Sequence, residues 1–282
     1  MRDVARVAHP ARAIDASHAV PNAPRWTARV AASDSACFGL LALLFAASVT
    51  ATIIGCRSMT AMGELPMSGG WSMSMAWVRM CGQTWSGVAA SFLGMWIVMM
   101  VAMMLPSLLP TLWRYRAAAM KIPVSVAAML TTLGYFAVWT ALGAGVFLAG
   151  ATLAALAMQL PALSRAVPVA SSFVVLCGGV FQFSAWKARL LSSCRHSPEF
   201  DAGWQASAGA AGRLGLRLGC RCTGSCAGFT AMLLVGGVMD MRVMAVVGAA
   251  ITAERLAPSA LRVPQAIGVV AIVLGLISLS LT

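Results

Sequence analysis

VAASFLGMWIVMMVAMMLPSLL, running from Val88 to Leu109, carries no charged side chain in 22 consecutive residues. At 1.5 Å per residue it makes a helix about 33 Å long, enough to cross the roughly 30 Å hydrocarbon layer of a bilayer. Further apolar runs lie on both sides of it, at 37–55, 126–150, 166–184, 222–238, 240–256 and 267–281. Gly236, Gly237 and Asp240 interrupt the stretch from 222 to 256, which predicts a hairpin of two spans rather than one very long helix. Apolar residues continue past Gly150 to Leu160 and Pro161, so the third span is expected to tilt or to end in an interfacial turn. The expected fold is all-α: a polytopic transmembrane helix bundle of about seven spans.

Composition leads to the same class. The chain is 60% hydrophobic and 10% charged over 282 residues, with a mean hydropathy of +0.85, which excludes an ordinary water-soluble core. A net charge of +12 would suggest nucleic acid in a soluble protein. Here the basic residues sit at the ends of apolar runs, where membrane topology and anionic lipid account for them, and no nucleic-acid partner is expected. With the amino terminus inside, Arg57, Arg79, Arg165 and Arg242 are external and the other sixteen of the 20 Lys and Arg are internal. That bias predicts a multi-pass protein of a bacterial cytoplasmic membrane, with its amino terminus in and its carboxyl terminus out. Residues 1–35, with Pro10, Pro21 and Pro24, read as a disordered basic cytoplasmic tail. Residues 36–282 form the membrane domain, with a Met-rich external loop at 56–86 and a cytoplasmic loop at 185–221 that holds a Cys cluster.

Sulfur is the unusual element of this sequence, with 19 Met and 8 Cys against 3 His. Met59, Met62, Met67, Met73, Met75 and Met80 crowd the external loop, and Met95, Met99 and Met103 repeat every fourth residue along one helix face. Met100 and Met104 flank that stripe. Thioethers are soft ligands that need no deprotonation and favour Cu(I), and the pair Met73 and Met75 suits that use. Packing is the alternative reading of the stripe, because Met is an adaptable filler between helices.

On the other side, Cys194, His196, Cys220, Cys222 and Cys226 fall in or beside the cytoplasmic loop, where thiols stay reduced. Cys222 and Cys226, four apart, share a helix face, and Cys220 precedes them in a Gly-rich stretch read as a turn. Converging thiolates there would hold Cu(I), or Zn(II), with Arg221 favouring ionisation. Inert buried cysteines are the alternative. Cys56 and Cys81 bracket the external loop and could pair as a disulfide, whereas Asp240 and Glu254 mark the membrane interface. No nucleotide loop, catalytic triad or zinc-protease helix is present, and the chain is not expected to be an enzyme.

Five stretches together resemble a known family: MWIVMMVAMMLPSLLP from Met95, GYFAVW from Gly134, the segment from Gly179 to Cys194-Arg195, GLRLGCRCTGSC, and GGVMDMRVMAVVGAAITAER. The family is a bacterial domain of unknown function described as a predicted metal-binding integral membrane protein, sometimes labelled copper chaperone. The resemblance covers about Gly94 to Leu256. It implies membrane location and ligands at Cys194, Cys222 and Cys226. It also implies further Cys or His at places held here by Leu190, Ser193 and Ser225, so Cys220 and His196 would be local additions. Three functions remain open: binding, delivery or translocation of Cu(I), assisted by a metallochaperone or membrane-complex partner; scaffolding of another membrane complex; and transport of a small solute, with Met used only for packing.

Overall fold

The computed structural model describes residues 25–61, 63–79, 82–114, 124–195, 207–257 and 262–282. Among them are eight α-helices: α1 (Arg25–Ala61), α2 (Trp85–Arg114), α3 (Val124–Gln159), α4 (Pro161–Phe181), α5 (Ala185–Arg195), α6 (Ala208–Gly237), α7 (Met241–Leu256) and α8 (Val263–Ser280). A short hairpin of β1 (Glu64–Pro66) and β2 (Ser72–Ser74) lies between α1 and α2. Residue contacts divide the chain into two units, 1–40 and 41–282. The described part of the first is the opening of α1; the second contains all the other elements.

Among the described residues, six helices are long and apolar enough to cross a membrane: α1, α2, α3, α4, α6 and α8. Their surface chemistry is that of a membrane protein. On α8 the small residues Gly268, Ala271 and Gly275 are buried, while Val273, Leu274 and Ile277 face outward. A soluble helix packs its large apolar residues inside; here the outer surface meets lipid and small residues let backbones approach. The α4–α8 contact has this form, since a Cβ on Gly179 would stand 3.0 Å from the Gly268 carbonyl oxygen. Ser172 Oγ donates to Ser278 Oγ across it at 2.9 Å.

The α3–α6 contact is closer still. A Cβ on Gly215 would overlap the Thr131 carbonyl, and one on Gly219 would stand 2.9 Å from Val138 Cβ. Thr131 Oγ1 donates to the Ala211 carbonyl at 3.1 Å, closing a polar link inside this Gly-lined seam.

The predicted hairpin near Asp240 is present. Gly237, at φ +108, ends α6 in a conformation that suits glycine, and Asp240 caps α7 by accepting from the amide of Arg242 at 2.7 Å. At 16 residues α7 is about 24 Å long, shorter than those six helices and below the length that makes it a seventh span. The overrunning third span is one helix of 36 residues that ends at Gln159; Leu160 follows, and Pro161 starts α4.

Three boundaries differ from the sequence reading. Residues 25–35, read as tail, are helical: after Pro24 nothing in RWTARVAASDS breaks a helix, so α1 extends well beyond its apolar part. Residues 185–195 and 208–221, read as loop, are α5 and the first half of α6. Ser207 caps that extension by accepting from Ala210 N. Residues 1–24 lie outside the described residues.

The β-hairpin is tied to α4. Pro168 has no amide hydrogen to give the Ser164 carbonyl one turn earlier, and that oxygen accepts from Trp71 Nε1 at 2.9 Å instead. Ser164 Oγ donates in turn to the Ser68 carbonyl at 2.6 Å.

A candidate soft-metal centre on helix α6

Residues 222, 225 and 226 lie at i, i+3 and i+4, so one face of α6 carries Cys222, Ser225 and Cys226, all buried. Three other helices close over that face. Tyr135 of α3 brings its hydroxyl to 2.8 Å from Cys222 Sγ, and Met104 of α2 brings its thioether sulfur to 3.8 Å from the same atom. Arg255 of α7 directs Nη2 to Cys222 Sγ at 2.9 Å, to Ser225 Oγ at 3.3 Å and to Cys226 Sγ at 3.7 Å. Cys194 of α5 lies in the same neighbourhood, near Ser225, Cys226 and Arg255. Burial pushes its thiol above the ordinary range, while the Arg255 charge and the Ser225 contact act the other way.

A buried ion pair adjoins this group. Lys187 of α5 reaches Glu254 of α7 at 2.8 Å, also contacts the Gln182 side-chain oxygen, and stands 4.5 Å over the Phe229 ring. Burial lowers the Lys187 pKa, and the Glu254 carboxylate opposes that shift. Glu254 is 3% exposed, and its charge is matched by Lys187.

Of the residues singled out from the sequence, Cys194, Cys222 and Cys226 converge on one neighbourhood. Among the described residues, however, no three Cys, His, Asp or Glu side chains stand close enough to hold an ion between them. Cys220 is exposed, because two residues before Cys222 means about 200° round the helix, and it lies within α6 rather than in a turn. His196 lies outside the described residues, as do Cys81, Met62 and Met80 and the side chain of Met59. The guanidinium over the thiols belongs to Arg255, whereas Arg221 is a neighbour of Cys194.

The methionines are also redistributed. Met73, expected in a wet loop with Met75, is 3% exposed; β2 turns it into a cavity of about 1360 Å³ lined also by Cys56, Trp71, Trp77 and Asp240. On α2, Met99 is buried, Met95 sulfur packs against Gly55 of α1, and Met103 lies beside Gly248 of α7. The row that reaches the thiols is the flanking pair Met100 and Met104, both 1% exposed. Tyr135 and Arg255 were missed as site residues, although both lie in the stretches GYFAVW and AITAER that carry the family resemblance.

Two thiols, a thioether and a phenol under a guanidinium, set among apolar spanning helices, define a polytopic membrane protein with a soft-donor centre. A family model described as PpoB2, copper chaperone, matches residues 93–278, and the chain belongs to that family. No curated protein and no solved structure matches it.

Proposed function

We propose that the protein binds Cu(I) between the thiolates of Cys222 and Cys226, with the Met104 thioether as third donor, and delivers it at or across a bacterial cytoplasmic membrane. The observation that carries this reading is the meeting of two thiols and a thioether from α6 and α2 in a buried position. Such a donor set suits Cu(I), which accepts two or three soft ligands. Zn(II) asks for four, one more than the two thiols and the thioether that meet here. The family's description as a copper chaperone supports delivery to a partner. The ion is cargo here, and no bond-making step is assigned to the chain.

Cys194 has a different place in this reading. It lies near Ser225, Cys226 and Arg255 at the edge of the centre, placed to receive or pass the ion by ligand exchange. Copper analysis of the detergent-purified protein after Cu(I) loading tests the proposal. Wild type should hold one Cu(I) per chain, Cys222→Ser should hold little, and Cys194→Ser should still bind but exchange more slowly with a chelator. Wild-type stoichiometry in Cys222→Ser would remove the centre as drawn.

The cavity beside the β-hairpin favours the small-solute reading as a second possibility, since its walls are mostly apolar and it is large enough for an organic molecule. Unchanged copper handling in Cys222→Ser, with binding lost on filling that cavity, would move the assignment there.

A further inference from the structure

Arg255 is more than a lid on the thiols. We infer that its fixed positive charge makes the α6 centre selective for monovalent over divalent soft cations. This rests on the copper reading above and deepens it.

The charges that face the centre can be counted group by group. From α6 come Cys222 and Cys226, with Ser225 neutral between them; from α3 comes the neutral Tyr135, and from α2 the neutral Met104. From α7 comes Arg255, in contact with both thiols, and from α5 comes Cys194, near Arg255 and Cys226 but not grouped with the two thiols closely enough to hold an ion with them. The adjacent Lys187 and Glu254 cancel each other at 2.8 Å. Two thiolates bring two negative charges. A monovalent ion cancels one and the guanidinium the other, leaving a neutral buried site. A divalent ion between the same thiolates leaves one positive charge among apolar helices, with no third Cys, Asp or Glu among the described residues close enough to share it, and uncompensated buried charge is strongly disfavoured.

Ser225 strengthens the argument. It stands 3.3 Å from Arg255 Nη2 and 3.8 Å from Cys226 Sγ, where a cysteine would supply a third thiolate and neutralise a divalent ion. By carrying a hydroxyl there, this chain keeps the count at two. Softness alone would not separate Ag(I) from Cd(II), which both prefer thiolates; charge does.

The test measures Ag(I), Cu(I) and Cd(II) binding to the full-length protein in detergent, each against a competing chelator of known affinity. Arg255→Gln should narrow the Ag(I)-to-Cd(II) affinity ratio at least tenfold, while Arg255→Lys, which keeps the charge, should hold it near wild type. Ser225→Cys should narrow the ratio by raising Cd(II) affinity, and it leaves the guanidinium intact should the Gln variant not fold. Equal loss of both ions in Arg255→Gln, or an unmoved ratio in Ser225→Cys, would overturn charge selection while leaving the copper site standing. Failure of wild type to bind either monovalent ion would overturn the site itself, and this inference with it.

Discussion

Glu254 and Arg255 are neighbours on α7 with opposite charges and separate tasks. Glu254 holds Lys187, and Arg255 covers the thiols. Both members of the ion pair are almost fully buried, so removing one leaves an unmatched charge. Lys187→Met should therefore destabilise the protein by about 3–5 kcal/mol, and Lys187→Met with Glu254→Leu together should recover most of that loss. Thermal unfolding in detergent reads both; a double variant as unstable as the single one would mean that the pair has a role beyond charge compensation. At this scale the sequence was partly legible. The i, i+4 spacing of Cys222 and Cys226 puts both thiols on one face, whereas Arg255, 33 residues on, reads in the sequence only as a topological charge. Its contact with the thiols depends on where α7 packs, which spacing along α6 does not contain.

Helix α2 carries two methionine rows with different surroundings. Met100 and Met104 belong to the row that meets Cys222, while Met95, Met99 and Met103 run beside it toward α1 and α7. Leu nearly matches Met in volume and costs under about 1.5 kcal/mol in a core, but it offers no lone pair. Met104→Leu should therefore fold and insert yet bind Cu(I) at least tenfold more weakly. The triple change of Met95, Met99 and Met103 to Leu should leave that affinity near wild type and impair copper-dependent growth, if the stripe conducts the ion to the centre. Chelator competition and growth under copper limitation separate the two effects, and wild-type growth of the triple variant would assign the stripe to packing. The apolar repeat on α2 was readable from Val88 to Leu109 because a span without charge has few other folds open to it. Which of its two rows touches sulfur was not readable, since Met99 and Met100 are equally apolar and both are buried.

For the whole molecule, basic residues and the short α7 make one joint statement about sidedness. If α7 crosses, Thr282 is external and the α5 end of the thiol centre is cytoplasmic; a phosphatase fused after Thr282 should then be active and one fused near Arg213 silent. The reverse activities would exchange the two faces, and silence at both positions would mean that α7 turns back without crossing. The hairpin that this topology needs was foreseen from Gly237 and Asp240, while the helical extensions at 25–35 and 208–221 were hidden by polarity, which signals departure from lipid without distinguishing helix from loop. The Gly-lined seam between α3 and α6 adds a mechanical consequence. With Gly215 pressed on the Thr131 backbone and Gly219 on Val138, the wall that carries Cys222, Cys226 and Tyr135 is clamped and has no slack to retreat. If an ion binds there, its exchange with Cys194 would have to be opened from the opposite wall, by sideways travel of Met104 or Arg255, and its residence time would be set by how often α2 or α7 gives way.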